Sequence, residues 1–307
     1  MKLLRKKNNF LFLSILVFVF ISSSALVISG QLPKIIQALP IVAKEQKQFP
    51  EIPVLADGSS FPTFSAQGVM AVDLTSGISL YEKNTDTPLL PASTTKIVTA
   101  LVALDTYPLD SILTVGKVSV GGQRIGLFTG EKMKTEDLLY GLLVYSASDA
   151  AETFASNYPG GSDAFIVAMN NKAKELSMVN SHFENPVGFD SNTQVTTARD
   201  LLRVSEVAMR NPEFAKIVGT KNVVIKDATG KNVYTLKNVN ELLGVVPGVM
   251  GVKTGWTANA RESLVTYMER DNHKIMIVVL GSQDRFGETK ELIDWIFANY
   301  KWQEVKV

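Results

Sequence analysis

A serine and a lysine stand three residues apart at the head of a strongly apolar segment, Pro91-Ala92-Ser93-Thr94-Thr95-Lys96-Ile97-Val98. On a helix that spacing puts the hydroxyl and the amine on one face, where they can touch. The apolar residues that follow predict a buried helix, so the chain must build its core around a candidate nucleophile and its base. A serine hydroxyl is a weak nucleophile at neutral pH, and a lysine can activate it only by giving up its own proton near pH 7. Burial lowers a lysine pKa, and so does a second cation nearby. Lys253, in Gly251-Val252-Lys253-Thr254-Gly255-Trp256, is a candidate for that cation, and Ser146, in Tyr145-Ser146-Ala147-Ser148-Asp149, is a further hydroxyl between them in sequence. Taken alone, Ser-x-x-Lys more often marks a helix N-cap followed by a surface lysine. Lys-Thr-Gly alone more often marks an ordinary strand end.

Composition removes other chemistries. None of the 307 residues is cysteine, which excludes disulfides, thiolate nucleophiles and thiolate metal sites. His182 and His273 have no second histidine at ligand spacing and no phosphate loop is present, so neither a metal nor a cofactor is expected. A formal net charge of +1 leaves no global field to attract nucleic acid.

The N-terminus points to export. Lys2, Arg5, Lys6 and Lys7 precede an apolar run over residues 10–28, which reads as a signal whose basic end stays inside. The run is long enough to span a bilayer, which favours a retained anchor. Ser24-Ala25 also offers small residues to a peptidase, so a cleaved signal stands beside it. Residues 31–65 carry Pro33, Pro40, Pro50, Pro53 and Pro62 and read as an extracytoplasmic spacer.

Beyond it, turn residues and β-formers predict a hairpin over 68–81 and strands over 222–226, 232–236, 249–254, 263–269 and 274–280. Helical spacing of apolar residues predicts helices over 94–104, 135–156, 162–176, 197–209 and 288–300. The hairpin, the late strands and the end helices are expected to build one sheet layer, and Ser146 to sit in a mostly helical region.

The order Ser-x-x-Lys, then Ser146 with Ser148, then Lys-Thr-Gly resembles that of penicillin-binding proteins and serine β-lactamases. Tyr81-Glu82-Lys83-Asn84, Gly130-Glu131 to Asp137-Leu138-Leu139, Met169-Asn170-Asn171-Lys172-Ala173 to Asn185-Pro186, Thr196-Thr197-Ala198-Arg199-Asp200-Leu201 and Leu292-Ile293-Asp294-Trp295 narrow the resemblance. They are similar to the D-alanyl-D-alanine carboxypeptidases of low molecular mass, from about residue 66 to 300. The resemblance implies an α/β fold of the β-lactamase/transpeptidase type, an α+β sandwich in which helices flank an antiparallel sheet and a mainly helical subdomain is added. It implies a signal or anchor at 1–30, the spacer at 31–65, a catalytic domain at 66–300 and a tail at 301–307. Many relatives continue into a β-rich domain and a C-terminal amphipathic anchor that residues 301–307 cannot hold, so an N-terminal anchor is expected in its place. The chain is then expected outside the cytoplasmic membrane, anchored to it or, if cleaved, secreted or periplasmic.

The resemblance also assigns roles. Ser93 attacks a D-Ala-D-Ala peptide bond of a peptidoglycan stem peptide, Lys96 takes its proton, and Ser146, bonded to Lys96 or to the leaving amine, relays it. β-Lactams become covalent inhibitors of the same serine. Lys253, Thr254 and Gly255 form the edge strand that aligns substrate, the N–H groups of Ser93 and Trp256 make the oxyanion hole, and Arg285, with Thr254, meets the terminal carboxylate. Two positions depart from relatives: Ser148 replaces asparagine, losing reach, and Val187 replaces histidine, read as a packing difference. A D,D-endopeptidase, a serine β-lactamase and a weakly active cell-wall binding protein are the alternatives. No Glu-x-x-x-Asn segment lies between Ser146 and Lys253, which weakens the lactamase reading.

Overall fold

Six consecutive apolar residues, Ile275 to Leu280, are almost completely buried, which requires a sheet covered on both faces. In the computed structural model, which describes residues 49–117 and 121–305, they occupy the middle of β10 (His273–Ser282). β10 is the central strand of an antiparallel five-stranded sheet in the order β3 (Ser79–Lys83), β2 (Gly68–Asp73), β10, β9 (Arg261–Arg270), β8 (Val249–Thr257). Strand alternation divides β10 between two cores. Ile275, Ile277 and Val279 join Val69 and Ala71 against Leu292, Ile293 and Ile296 of α7 (Arg285–Asn299). Met276, Val278 and Leu280 join Met70 and Val72 in a larger core under the helices.

That helical layer comprises α1 (Lys96–Thr106), α2 (Thr135–Val144), α3 (Ser148–Asn157), α4 (Gly161–Glu175), α5 (Ala198–Arg210) and α6 (Pro212–Val218). Local chemistry sets its boundaries. The Thr197 hydroxyl caps α5 by accepting from Asp200 N–H at 3.1 Å. The Asn211 side-chain Oδ1 caps α6 by accepting from Glu213 and Phe214 N–H, with Pro212 in the first turn. Two small hairpins, β4 (Ile112–Thr114) with β5 (Lys132–Lys134) and β6 (Asn222–Lys226) with β7 (Val233–Lys237), border the layer. Among the described residues no helix is long and apolar enough to cross a membrane. The segment expected to be signal or anchor, residues 1–30, lies outside the described residues.

Three expectations change. The helical pattern over 135–156 is broken between α2 and α3, where Ser146 takes a positive φ of 62°. The pattern stays apolar through the break because both helices, and Ala147 between them, contribute to the larger core. The spacer ends earlier than residue 65, because β1 (Ile52–Leu55) pairs with β11 (Tyr300–Gln303). Phe64 is buried, Phe61 lies 4.9 Å from the Trp295 ring, and the Trp295 indole N–H donates to Ser60 O at 2.8 Å. Pro53 is accommodated because β1 belongs to a two-stranded ladder with an open side. Residues 301–303 of the expected tail likewise belong to the domain.

A chain shortened to begin at Phe49 is the reference, because it keeps residues 49–65 and the β1–β11 ladder. One beginning at Ala66 loses Phe64 burial and the β1–β11 ladder, together about 3 kcal/mol or more, and should melt about 6–12 °C lower. Equal melting of the two in calorimetry would show that residues 49–65 contribute nothing.

Candidate active site

Ser93 sits in a short 3₁₀ turn, Ala92–Thr95, that runs directly into α1. Ala92 is held at φ 48°, a left-handed conformation that a non-glycine residue adopts only when its surroundings enforce it. Lys96 Nζ lies 2.9 Å from Ser93 Oγ and donates to Val187 O at 2.7 Å. The amine is 1% exposed. Burial pulls its pKa down to about 7, although Asp149 and Glu152 nearby act in the opposite direction. At neutral pH a large fraction of Lys96 is thus the free amine, with a lone pair facing the serine hydroxyl. Of the two causes expected, desolvation is the one that lowers Lys96, whereas repulsion from Lys96 and Arg285 bears on Lys253, after its own burial.

Val187 enters the site through its backbone, which the packing reading of its side chain did not foresee. Asn185 Oδ1 accepts from the N–H of Val187, Gly188 and Phe189 at 3.2, 2.7 and 3.0 Å, folding the chain into a tight turn. The Thr99 hydroxyl, one helical turn past Lys96, donates to Pro186 O at 2.7 Å. A Cβ on Gly188, at φ 90°, would lie 1.9 Å from Ala92 O. The glycine therefore lets this turn lie against the backbone that carries the nucleophile.

On the other side, the break between α2 and α3 aims Ser146 at Lys253. Lys253 Nζ donates to Ser146 Oγ at 2.7 Å and to Thr254 O at 3.0 Å. Of the two partners expected for Ser146, Lys96 or the leaving amine, Lys96 is not among its hydrogen-bond partners here; Lys96 bonds Ser93 and Val187 instead. Since the Ser146 oxygen accepts from Lys253, its own O–H is left to donate elsewhere. Asp149, unremarked in the sequence, is fully buried and accepts from the N–H of Ile125, Gly126 and Leu127. It fixes the loop that supplies Gln123, whose carbonyl accepts from Ser148 N–H at 2.8 Å. The Ser148 side chain lines the cleft.

The fourth wall is β8, an edge strand of the main sheet, so one row of its backbone groups faces the cleft. A Cβ on Gly255 would come within 3.1 Å of both Ser93 N and Ala92 Cβ, which explains the glycine. Trp256 is exposed at the rim. Arg285 donates to Gly255 O at 3.0 Å and stacks on Phe286, while burial lowers its pKa. The resulting cleft of about 560 Å³ is lined by Ser93, Ser146, Ser148, Thr254 to Trp256 and Arg285 together with Phe189 and Asp190, which sequence reasoning missed. Every site residue expected from the sequence either lines this cleft or, like Lys96 and Lys253, lies directly beneath it.

A cleft-lining serine paired with a buried lysine and facing an edge strand, on a helix-flanked antiparallel sheet, defines a serine acyl-transfer enzyme of the penicillin-binding type. The crystal structure of the Streptomyces K15 DD-transpeptidase is similar with a TM-score of 0.74 and 33% identity, covering 78% of this chain and all of that one. The D-alanyl-D-alanine carboxypeptidase family model matches residues 56–284, and the chain belongs to that family. D-alanyl-D-alanine carboxypeptidase DacF of Bacillus subtilis is 31% identical over 246 residues, 77% of this chain, which spans 63% of that relative's length. The D-alanyl-D-alanine endopeptidase of Escherichia coli is 33% identical over 253 residues, 78% of this chain and 80% of its own.

Gly188 and Gly230 provide a controlled comparison, since both have positive φ but only Gly188 would collide with backbone. Gly230→Ala should cost about 1 kcal/mol for the left-handed conformation alone. Gly188→Ala should cost about 3 kcal/mol or more by denaturant unfolding. Equal losses would mean that the 185–188 turn moves aside freely.

Proposed function

We propose that this chain is a serine-type D-Ala-D-Ala carboxypeptidase that removes the terminal D-alanine from peptidoglycan stem peptides through an acyl-enzyme. The observation that carries the reading is the 2.9 Å approach of a fully buried lysine amine to Ser93 Oγ. Ser93 Oγ attacks the carbonyl carbon of the terminal peptide bond while its proton passes to Lys96 Nζ. The oxyanion that forms meets the N–H groups of Ser93 and Trp256, a preorganised pair whose individual members are typically worth about 3 kcal/mol in the transition state. The C–N bond then breaks, and the proton on Lys96 reaches the departing amine through the Ser146 hydroxyl, oriented by Lys253. Water attacks the ester in the second half, giving its proton to Lys96, and the C–O bond breaks as Ser93 regains a proton. Arg285 and Thr254 receive the terminal carboxylate, for which a planar guanidinium is suited. Ser148 lines the same cleft with a shorter side chain than the asparagine usual in relatives.

The likeness to a named endopeptidase supports a second reading, cleavage of crosslinks by the same residues. Release of D-alanine from a pentapeptide in preference to cleavage of a crosslinked dimer separates the two.

Incubation with benzylpenicillin should add one covalent adduct by intact mass in the wild type and none in Ser93→Ala, which should also release no D-alanine. Because the base must be unprotonated, acylation should slow as pH falls below the Lys96 pKa of about 7 and level off above it. An adduct on the alanine variant, or an acylation rate flat from pH 5 to about 9, would refute the assignment.

The apolar run at 10–28 supports attachment to the cytoplasmic membrane from its outer face. The full chain should then sediment with membranes and resist high-salt extraction. Recovery in the soluble fraction would remove the anchor.

A further inference from the structure

Among the described residues that line the cleft, two carry charge, Arg285 and Asp190, and their signs are opposite. They stand at different levels of β8. Arg285 holds Gly255 O, whereas Asp190 Oδ1 accepts from the Thr257 hydroxyl at 2.7 Å. Thr257 Oγ1 in turn accepts from Ala260 N–H at 2.9 Å, so its proton is committed to Asp190 and the carboxylate is fixed in orientation. The second carboxylate oxygen has no donor among the described residues. Gly255 and Thr257 point to the same side of the strand, about 7 Å apart.

A peptide added to this edge with its scissile carbonyl at Ser93, level with Gly255, and its terminal carboxylate at Thr254 and Arg285 runs its preceding residues toward Thr257. The residue just before the acyl D-alanine then brings its side chain to Asp190. We propose that Asp190 is a specificity determinant, a subsite for a side-chain ammonium at that position, from lysine or diaminopimelate. The proposal rests on the carboxypeptidase reading above and adds to it the class of side chain the cleft selects. The cleft then has a charge dipole along β8 that matches a substrate with a carboxylate at its end and an ammonium on its diamino acid. A substrate placed the other way round meets like charges at both ends.

The test compares three acyl-D-Ala-D-Ala peptides that differ in the residue before the D-alanine pair: Nα-acetyl-lysyl, Nα-acetyl-diaminopimelyl and Nα,Nε-diacetyl-lysyl. The diacetylated peptide serves as an internal control for each enzyme preparation. At least one ammonium peptide should exceed the control by about fivefold to tenfold in kcat/KM, a preference that shrinks as salt is raised. In Asp190→Asn, which keeps an acceptor for Thr257, the ratio should fall to near unity. If that variant turns over no peptide, the salt dependence of the wild-type ratio decides. Equal rates on all three peptides in the wild type would overturn the subsite and leave the carboxypeptidase reading standing. A preference that survives in Asp190→Asn would overturn the assignment to this residue. No D-alanine from any peptide would overturn both readings together.

Discussion

An ammonium group cannot remain charged and unpaired where water is excluded, and the site depends on that cost. Lys96 is given one carbonyl, Val187 O, and one hydroxyl, Ser93 Oγ, and no carboxylate within hydrogen-bonding distance. Asp149 and Glu152 are near enough to raise its pKa, yet neither bonds it, and Asp149 is taken up by three N–H groups of the adjoining loop. The balance leaves the amine close to half-protonated at neutral pH. A direct carboxylate partner would hold its proton and disable it as a base.

The surrounding architecture can be read as the means of keeping that amine dry. α1 starts at Lys96 and packs among α2, α3, α4 and α5, so the residue is buried from its first turn. Two separate chain segments then close on the turn that carries it with backbone rather than side chains, the 185–188 turn and the edge strand at Gly255, while the left-handed link at Ser146 contributes a hydroxyl that meets Lys253. Backbone contacts of this kind demand glycine where Cβ atoms would collide, and both Gly188 and Gly255 meet the peptide groups of Ala92 and Ser93. The second core, between the sheet and α7, contributes no lining residue except Arg285 at the head of the helix.

The division between what the sequence disclosed and what it concealed has a physical basis. Ser93 with Lys96 was legible because helix geometry converts a spacing of three into a contact, and runs of β-forming residues bounded by turns made β8, β9 and β10 legible within a few residues of their ends. Ser146 could be named but not placed, since its partner depends on a single positive φ between two helices whose apolar patterns run together. Val187 was judged by its side chain, while its carbonyl serves the site, and no residue type announces a useful carbonyl. Asn185 was the available signal: an asparagine three residues before a glycine marks a turn that side-chain hydrogen bonds can lock. Residues 49–65 were misjudged because their partners, Trp295 and β11, lie at the far end of the chain. Local composition is silent about pairing at that range.

The open edge of β8 has one more consequence. An exposed, regular strand edge normally invites sheet-to-sheet association, and proteins blunt such edges with charge, bulges or proline. Here the edge cannot be blunted, because its free N–H and C=O groups are what a peptide would pair with. It is recessed instead, with Phe189 and Asp190 on one wall and Gly122 and Gln123 on another. A single extended chain can enter such a slot, whereas the edge of a second folded sheet, carrying its own neighbouring strands, is too broad. Recession thus acts as a size filter that keeps the protein from polymerising through the very surface it uses for recognition.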